Sequence, residues 1–258
     1  MTTNSAYIKT EHLNAILFPN RNDGNTPELR QFPIPREPYI EKLFSDKIMF
    51  FGDSFSEDDD ISNMYTPVEV RAIVCDINRT CMYLIYNDRK TGLQIPGGPI
   101  NRVDFDNPYE EEESTLLSAL MRNILIQFDP IYGMSMYDSM KDEIVSPRQK
   151  LHNILCSKFG NCREQPELYF SYILPNTSKR KFIFYYVYEC DFVKDSNGIG
   201  ILPRGVFTLN KELFRISLRH DKTTASCVLG FDPIDRGVVF EDYGRTQLNA
   251  IFNADKLF

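Results

Sequence analysis

Acidic side chains concentrate in residues 99–113, and they are the first candidates for metal chemistry. Asp104 and Asp106 are followed by four consecutive glutamates at residues 110–113. Carboxylate oxygens are the ligands that Mg²⁺ prefers, and a bound Mg²⁺ can activate water and neutralise a leaving phosphate. Carboxylates are also favoured at a helix N-terminus by the backbone dipole. The segment is therefore either a metal site or the acidic start of a helix.

The apolar spacing that follows predicts a helix over residues 114–128, with Ser114 as its N-cap. The buried face of this helix consists of Leu117, Leu120, Met121, Ile124, Leu125 and Phe128. Before the acidic segment, apolar runs predict three strands, at residues 68–75, 81–86 and 93–95. The third strand leads into the turn Pro96-Gly97-Gly98, where glycine permits a positive φ and a close approach of two backbones.

A strand, a Pro-Gly-Gly turn and a helix carrying arginine, in that order, resemble the Nudix box. Gly98 and Arg122 match the family's motif, and Asp104 stands at the loop glutamate. Asn123 replaces the first glutamate of the family's helix. Ile126 and Gln127 replace the later pair. The resemblance implies an α/β fold, a Nudix-like α/β/α sandwich around a mixed sheet. The replaced glutamates imply that the usual metal-dependent attack on a diphosphate is absent, and no cofactor is expected.

The resemblance also sets the expected organisation of the chain. Residues 1–66 are predicted to form an N-terminal extension that is Pro-rich and acidic, beginning with an arm or tail over the first 26 residues. Residues 67–258 form the Nudix-like domain, with insertions near residues 99–113 and 129–166. Within the second insertion, residues 132–137 show no clear period, and residues 147–159 are predicted to be a helix. Later strands are predicted at residues 167–174, 181–188 and 205–209.

Basic residues beside tyrosines give a candidate surface for single-stranded RNA. Lys179, Arg180 and Lys181 lie at a predicted hairpin turn, close to Tyr185. Basic and aromatic side chains together can hold phosphates and stack bases. Arg215 and Arg219 form a second basic patch. The alternative interpretation is that the tyrosine belongs to the core and that the second patch is a solvated helix face.

A serine hydrolase is a rival hypothesis. An apolar strand runs into Gly52-Asp53-Ser54, which resembles the first block of GDSL-type hydrolases. In that family an Asp-x-x-His sequence supplies the base that activates the serine. The three histidines here are preceded, at the corresponding positions, by Lys9, Gln149 and Ser217. Without a positioned base, Ser54 is a poor nucleophile.

Composition limits the remaining classes of function. The chain has 258 residues and a formal net charge of −7, which argues against a broad electrostatic grip on nucleic acid. It shows no secretory signal and no apolar stretch as long as a membrane span, so an intracellular location is expected. The six cysteines are expected to be thiols. A metal site formed by His152, Cys156 and Cys162 lacks the paired spacing typical of zinc sites.

These observations favour a non-catalytic Nudix-like protein that binds a protein partner or RNA as a subunit of an assembly. It resembles inactive Nudix proteins such as the small RNA-binding subunit of the pre-mRNA cleavage factor, on the wording Leu120-Met121-Arg122-Asn123-Ile124-Leu125. The first alternative is a divergent Nudix phosphohydrolase with a relocated metal site built from Asp104, Asp106 and residues 110–113. The second is the esterase that uses Ser54.

Overall fold

A computed structural model describes twelve parts of the chain. They are residues 5–11, 48–50, 65–76, 81–87, 92–105, 112–141, 143, 145–162, 167–173, 181–191, 206–210 and 228–229. The chain divides into two compact units. The first unit comprises Met1–Arg71, Gly97–Leu120 and Leu168–Tyr186, and the second comprises Ala72–Pro96, Met121–Glu167 and Val187–Phe258.

The sheet of the first unit is built on β3, Tyr65–Asp76, whose first seven residues belong to this unit. Strand β1, Ala6–Lys9, pairs antiparallel with β3 and with β2, Ile48–Phe50. Strand β6, Gly97–Pro99, is antiparallel to β3 with Val70 opposite Gly98. The remaining strands are β7, Glu167–Ile173, and β8, Phe182–Cys190, which belong to this unit except for Glu167 and the last four residues of β8. Strand β8 pairs with both β7 and β3.

The second unit continues β3 and adds four strands. Cys75 of β3 lies opposite Met82 of β4, Cys81–Asn87. Strand β4 pairs antiparallel with β5, Gly92–Gln94, and with β9, Val206–Asn210. Strand β10, Val228–Leu229, pairs with β9. The register of β4 with β9 runs from Cys81 opposite Asn210 to Ile85 opposite Val206.

Three helices are described: α1, Glu112–Phe128; α2, Gly133–Lys141; and α3, Pro147–Phe159. Helix α3 has a complete set of end signals. The hydroxyl of Ser146 accepts the N–H of Gln149 at 3.3 Å, and Pro147 occupies the first turn, where its missing N–H costs nothing. Gly160, with φ +92°, ends the helix. None of the helices in the described ranges is long and apolar enough to cross a membrane.

The core rests on strands that are buried along most of their length. In β3, ten of the twelve residues are buried, and in β8 seven of nine. Such continuous burial is typical of interior strands that are covered on both faces. Aromatic side chains contribute most of the volume in β8, where Phe182, Phe184, Tyr185, Tyr186 and Tyr188 are all nearly or completely inaccessible.

The structure confirms the predicted class, a mixed α/β protein. The predicted sheet was mixed, and the strand pairs whose register is described are antiparallel. The helix predicted at 147–159 has these bounds as α3. The predicted N-cap is wrong, because α1 begins at Glu112 and Ser114 lies inside it. Residues 132–137 show no clear period in the sequence, yet α2 begins at Gly133.

The beginning of the chain, for which an arm or a tail is predicted, contains a strand. Residues 6–9 form β1, in which Ala6, Tyr7 and Ile8 are buried. The N–H of Ala6 donates to the carbonyl of Ile100 at 2.7 Å, so this strand is tied to the segment after β6. The boundary predicted at residue 66 stays a prediction, and it falls within β3.

The pairing of β6 with β3 depends on Gly97. This residue has φ +127° and lies opposite Arg71. A Cβ atom at Gly97 would lie 2.3 Å from the carbonyl oxygen of Val70 and 2.6 Å from the Cα of Arg71. Both neighbours are backbone, which cannot move aside as a flexible side chain would. Glycine is required here both for its φ and for the close approach.

We therefore expect Gly97→Ala to lower the free energy of unfolding by about 2–4 kcal/mol, from backbone strain and steric overlap together. Denaturant unfolding followed by circular dichroism measures this. Pro99→Ala is the matched control, since Pro99 is exposed in the same strand, and we expect a change of about 1 kcal/mol or less. Equal stability of the two variants would contradict the requirement for glycine.

Candidate functional site

The four helix positions singled out by the Nudix resemblance lie on α1 within the second unit. Arg122 and Asn123 are buried, and Ile126 and Gln127 are partly exposed. Asn123 and Gln127 are four residues apart and thus share one face of the helix. Their amide groups can donate and accept hydrogen bonds, but neither carries a negative charge, and Ile126 has no polar atom. This helix face carries neutral polar groups and is poorly suited to Mg²⁺.

Asp104, the residue at the position of the loop glutamate, is inaccessible to solvent. It ends a 3₁₀ turn over Arg102–Asp104, and its carboxylate accepts the backbone N–H of Asn101 at 2.7 Å. The carboxylate therefore stabilises the start of this turn. Gly98 is likewise buried, in β6, and both Gly98 and Asp104 belong to the first unit.

The first unit also contains a buried cluster of charges. The carboxylate of Glu69 accepts from Arg71 Nε at 3.0 Å and from Arg71 Nη2 at 2.7 Å, and it lies 2.5 Å from Lys181 Nζ. Glu69 and Arg71 are both nearly inaccessible, while the side chain of Lys181 retains 23% exposure. One carboxylate thus faces two cations in a setting that screens charge weakly.

The cluster controls the ionisation of its carboxylate. Burial alone would raise the pKa of Glu69, because removal from water disfavours the charged form. The charges of Arg71 and Lys181 and their hydrogen bonds outweigh burial and hold the pKa of Glu69 below its ordinary value. Glu69 is therefore ionised at neutral pH and compensates two nearby cations.

This pairing bears on the predicted RNA surface. Lys181 is engaged with Glu69. Tyr185 has no exposed surface, which fits the alternative that this tyrosine belongs to the core, because a ring that stacks on a base must present a face to solvent. The assignment of Tyr185 to a binding surface stays a prediction. Lys179, Arg180, Arg215 and Arg219 lie outside the described residues, as do Ser54 and residues 106–111. The predictions made for these residues stay predictions.

Large exposed apolar side chains concentrate in one segment of the second unit. Ile131 and Tyr132 are 78% and 64% exposed, and Met136 is 45% exposed. Met134 and Val145 also pass one third exposure. Among the described residues whose side-chain exposure is also defined, which leaves out β5, β7, β9, β10 and most of β4, the large apolar residues with this degree of exposure all lie between residues 131 and 145. We name these five residues the 131–145 surface.

The turn that presents the 131–145 surface is held by specific contacts. The side-chain oxygen of Asp129 accepts the N–H groups of Ile131 and Tyr132 at 3.2 and 3.0 Å. Gly133 packs on α1, where an added Cβ would lie 2.4 Å from the carbonyl oxygen of Leu125. The exposed residues Ile131 and Tyr132 are therefore fixed between two anchored positions.

The far end of the same segment is anchored from α3. Lys150 is buried, and its ammonium group donates to the carbonyl oxygens of Met140 and Glu143. The ammonium group satisfies carbonyl acceptors at the end of α2 that have no partner within the helix. Its positive charge also interacts favourably with the negative end of the α2 dipole. The 131–145 surface is thus supported at both ends by polar contacts, although its own side chains point into solvent.

Sequence reasoning missed both the charge cluster and this surface. Glu69 and Arg71 are two charged residues of opposite sign, two apart in an apolar strand, and that pattern was an available signal for a buried pair. The exposed methionines carried no such signal, because apolar residues are expected to be buried. In the described residues no group of three or more His, Cys, Asp or Glu side chains is arranged to hold a metal ion.

Comparison with known proteins finds similarity in structure. No protein-family model matches the chain, and no curated protein matches it significantly in sequence. The chain is similar to the crystal structure of Tm1382, a candidate Nudix hydrolase. The superposition covers 99% of this chain and 100% of that chain, with a TM-score of 0.45 and 11% sequence identity.

The charge cluster predicts a specific response to acid. Because the pKa of Glu69 is lowered on folding, its stabilising effect is complete above the unfolded pKa of about 4.3. It is lost as pH falls through the folded value. We expect Glu69→Gln to lower the free energy of unfolding at pH 7 by about 3–5 kcal/mol, because Arg71 and Lys181 lose their compensating charge.

Denaturant unfolding at a series of pH values measures this effect. The stability difference between wild type and Glu69→Gln should narrow as pH falls below about 4.3. Glu143→Gln, at an exposed carboxylate, is the control and should follow the wild type. A difference for Glu69→Gln that stays constant down to the lowest pH would rule out this carboxylate as the source of the acid response.

Proposed function

We propose that this chain is a Nudix-like protein without phosphohydrolase activity, which binds a protein partner through the 131–145 surface as a subunit of an assembly. The order of elements supports the Nudix-like assignment: a short strand, the Pro96-Gly97-Gly98 turn, a loop, and a helix that carries Arg122. The observation that carries the binding proposal is the presence of five exposed large apolar side chains in one anchored segment.

The chemistry of α1 supports the absence of catalysis. A Nudix-type reaction needs anionic ligands that hold Mg²⁺ next to the diphosphate. Asn123, Ile126 and Gln127 offer two neutral amides and a hydrocarbon at those positions. The remaining acid at a motif position, Asp104, already accepts a backbone N–H and is inaccessible to solvent. The three side chains on α1 are consistent with a helix retained for packing and recognition.

The exposed side chains support a protein partner. Ile131, Tyr132 and Met136 together present aliphatic, aromatic and thioether groups, and aromatic residues and methionine are enriched at protein interfaces. Tyr132 and Met136 are four residues apart, and the N–H of Met136 donates to the carbonyl of Tyr132 at 2.9 Å, so they lie on one face. Burial of that face by a partner would remove the cost of keeping it in water.

Charge favours a protein over RNA as the partner. The formal net charge of the chain is −7, and RNA binding depends strongly on cations that neutralise phosphates. Near the 131–145 surface, Lys141 lies 3.7 Å from Asp138, so this local charge is balanced. Single-stranded RNA binding at Lys179, Arg180, Arg215 and Arg219 is the alternative form of this proposal.

The non-catalytic part is tested by calorimetry with Mg²⁺ or Mn²⁺, with and without a non-hydrolysable nucleoside diphosphate analogue. We expect that the analogue does not strengthen metal binding, because the positions on α1 lack carboxylates. Tight binding that the analogue enhances would contradict the proposal and favour the relocated metal site. In that case, paired substitutions among Asp106 and residues 110–113 would abolish both the binding and the turnover.

The binding part is tested by the triple variant Ile131→Ser, Tyr132→Ser and Met136→Ser. The free energy of unfolding should change by about 1 kcal/mol or less, because all three side chains are exposed. Affinity for the partner should fall by at least about tenfold, since each anchor at an interface contributes on the order of 1 kcal/mol or more. The partner is first isolated with wild-type protein, and its Kd is then measured with purified components.

The matched control is Ser135→Ala combined with Glu143→Gln, two exposed polar residues within the same segment. It should bind the partner with the wild-type Kd. A partner that binds the triple variant as tightly as the wild type would refute the 131–145 surface as its docking site. Release of the bound component by ribonuclease would show that the partner is RNA, and the proposal of a protein partner would then be wrong.

A further inference from the structure

Three thiols and an imidazole meet at the end of α3 in the second unit. His152 and Cys156 lie one turn apart on the helix, with 3.5 Å between His152 Nε2 and Cys156 Sγ. The N–H of Cys162 donates to Cys156 Sγ at 3.4 Å. Cys162 Sγ lies 2.8 Å from Cys190 Sγ. Cys162 is thus in contact with both other cysteines, and all three are thiols.

The backbone geometry of one pair matches that of a cross-strand disulfide. Cys162 and Cys190 form an antiparallel bridge, and the N–H of Asp191 donates to the carbonyl of Asn161 at 2.8 Å. This hydrogen bond flanks the two cysteines and makes them a non-hydrogen-bonded pair. The Cα atoms in such a pair are about 4.5 Å apart and the side chains are close. That separation lies within the range that a disulfide spans, about 4.4–6.8 Å.

We propose that Cys162 and Cys190 are a redox modification site, which forms a reversible disulfide by exchange with low-molecular-weight disulfides, and that Cys156 is the thiol that reacts first. This inference does not depend on the proposed binding function. Accessibility supports the order of reaction: Cys190 has no exposed surface and Cys162 has 8%, whereas Cys156 is partly exposed on α3. A small disulfide such as oxidised glutathione can approach Cys156 but not Cys190.

The exchange is balanced in atoms and electrons. The Cys156 thiolate attacks the external disulfide, forms a mixed disulfide and releases one small thiolate. The Cys162 thiolate then attacks the Cys156 sulfur and expels the second small thiolate. Attack of the Cys190 thiolate on the Cys162 sulfur regenerates Cys156 and leaves the Cys162–Cys190 disulfide. The protein loses two electrons and two protons, and the external disulfide is reduced to two thiols.

The raised pKa values of the thiols make this exchange slow near neutral pH. Burial raises the pKa of Cys156, and the hydrogen bond with Cys190 together with burial raises the pKa of Cys162. Because the thiolate is the nucleophile, the rate should increase as pH rises. His152 Nε2 is placed to accept the Cys156 proton as the thiolate forms. Once formed, the disulfide ties the end of α3 to the end of β8 and closes the chain between them.

The test exposes the reduced, full-length protein to oxidised glutathione without oxygen, blocks the remaining thiols, and maps disulfides by mass spectrometry after digestion. We expect a peptide that links Cys162 to Cys190, a higher midpoint of thermal unfolding, and reversal of both by dithiothreitol. Cys75 is an internal control, since it is buried and bonded to the carbonyl of Tyr188 at 3.4 Å. It should stay reduced.

Single variants separate the steps. Cys162→Ala and Cys190→Ala should each abolish the linked peptide, and Cys156→Ala should form it roughly tenfold more slowly, because the accessible entry thiol is gone. Formation of the link at the wild-type rate in Cys156→Ala would overturn the role of Cys156. Disulfides scattered over all six cysteines would overturn the proposal. A zinc ion that is bound stoichiometrically to the reduced protein, and is released when the thiols are blocked, would also overturn the proposal. The mapping on wild-type protein stands even if a variant fails to fold.

Discussion

The close contact between β6 and β3 requires a residue without a side chain opposite Arg71. Gly97 meets this requirement, because any Cβ would overlap the backbone of Val70 and Arg71. The same register places Glu69 opposite Pro99, and the neighbouring hydrogen bond from Ile100 N–H to the carbonyl of Val68 extends the contact. The close approach of the two backbones at Gly97 therefore fixes β6, which precedes the 3₁₀ turn, against β3, which carries Glu69 and Arg71.

Those buried charges explain why a count of basic residues along the sequence overstates the basic surface of the folded chain. Lys181 belongs to a basic run in the sequence and was assigned to an RNA surface on that ground. In the folded chain it lies against Glu69, which is 112 residues away in the sequence. A cation next to a carboxylate has its field partly cancelled at a distance, so counting Lys181 as a free positive charge overstates the basic surface. The partner of such a charge is set by the pairing of distant strands, which a local pattern cannot reveal.

Much of the fold could be predicted because its elements follow the periodicity of burial. The long strands and helices α1 and α3 bury regular sets of apolar residues, and α3 carries end signals at Ser146, Pro147 and Gly160. Strand β1 was missed because it is four residues long and lies in a polar stretch. Its burial comes from pairing with β3, and so from a contact between segments more than fifty residues apart. The positions that resemble the Nudix box could be named from the sequence, whereas the hydrogen bond and the burial of Asp104 could not.

Helix α2 was missed for a different physical reason. It buries only Gly133 and Tyr137, while Met134 and Met136 face solvent. A helix whose apolar residues point outward shows no apolar period facing the core, so the rule that detects buried helices fails on it. Asp129, Gly133 and Lys150 nevertheless hold this segment in place through polar and close backbone contacts. Where a local rule is broken and the surrounding contacts still fix the structure, function is the expected cause. That combination is the reason to look for a partner at the 131–145 surface.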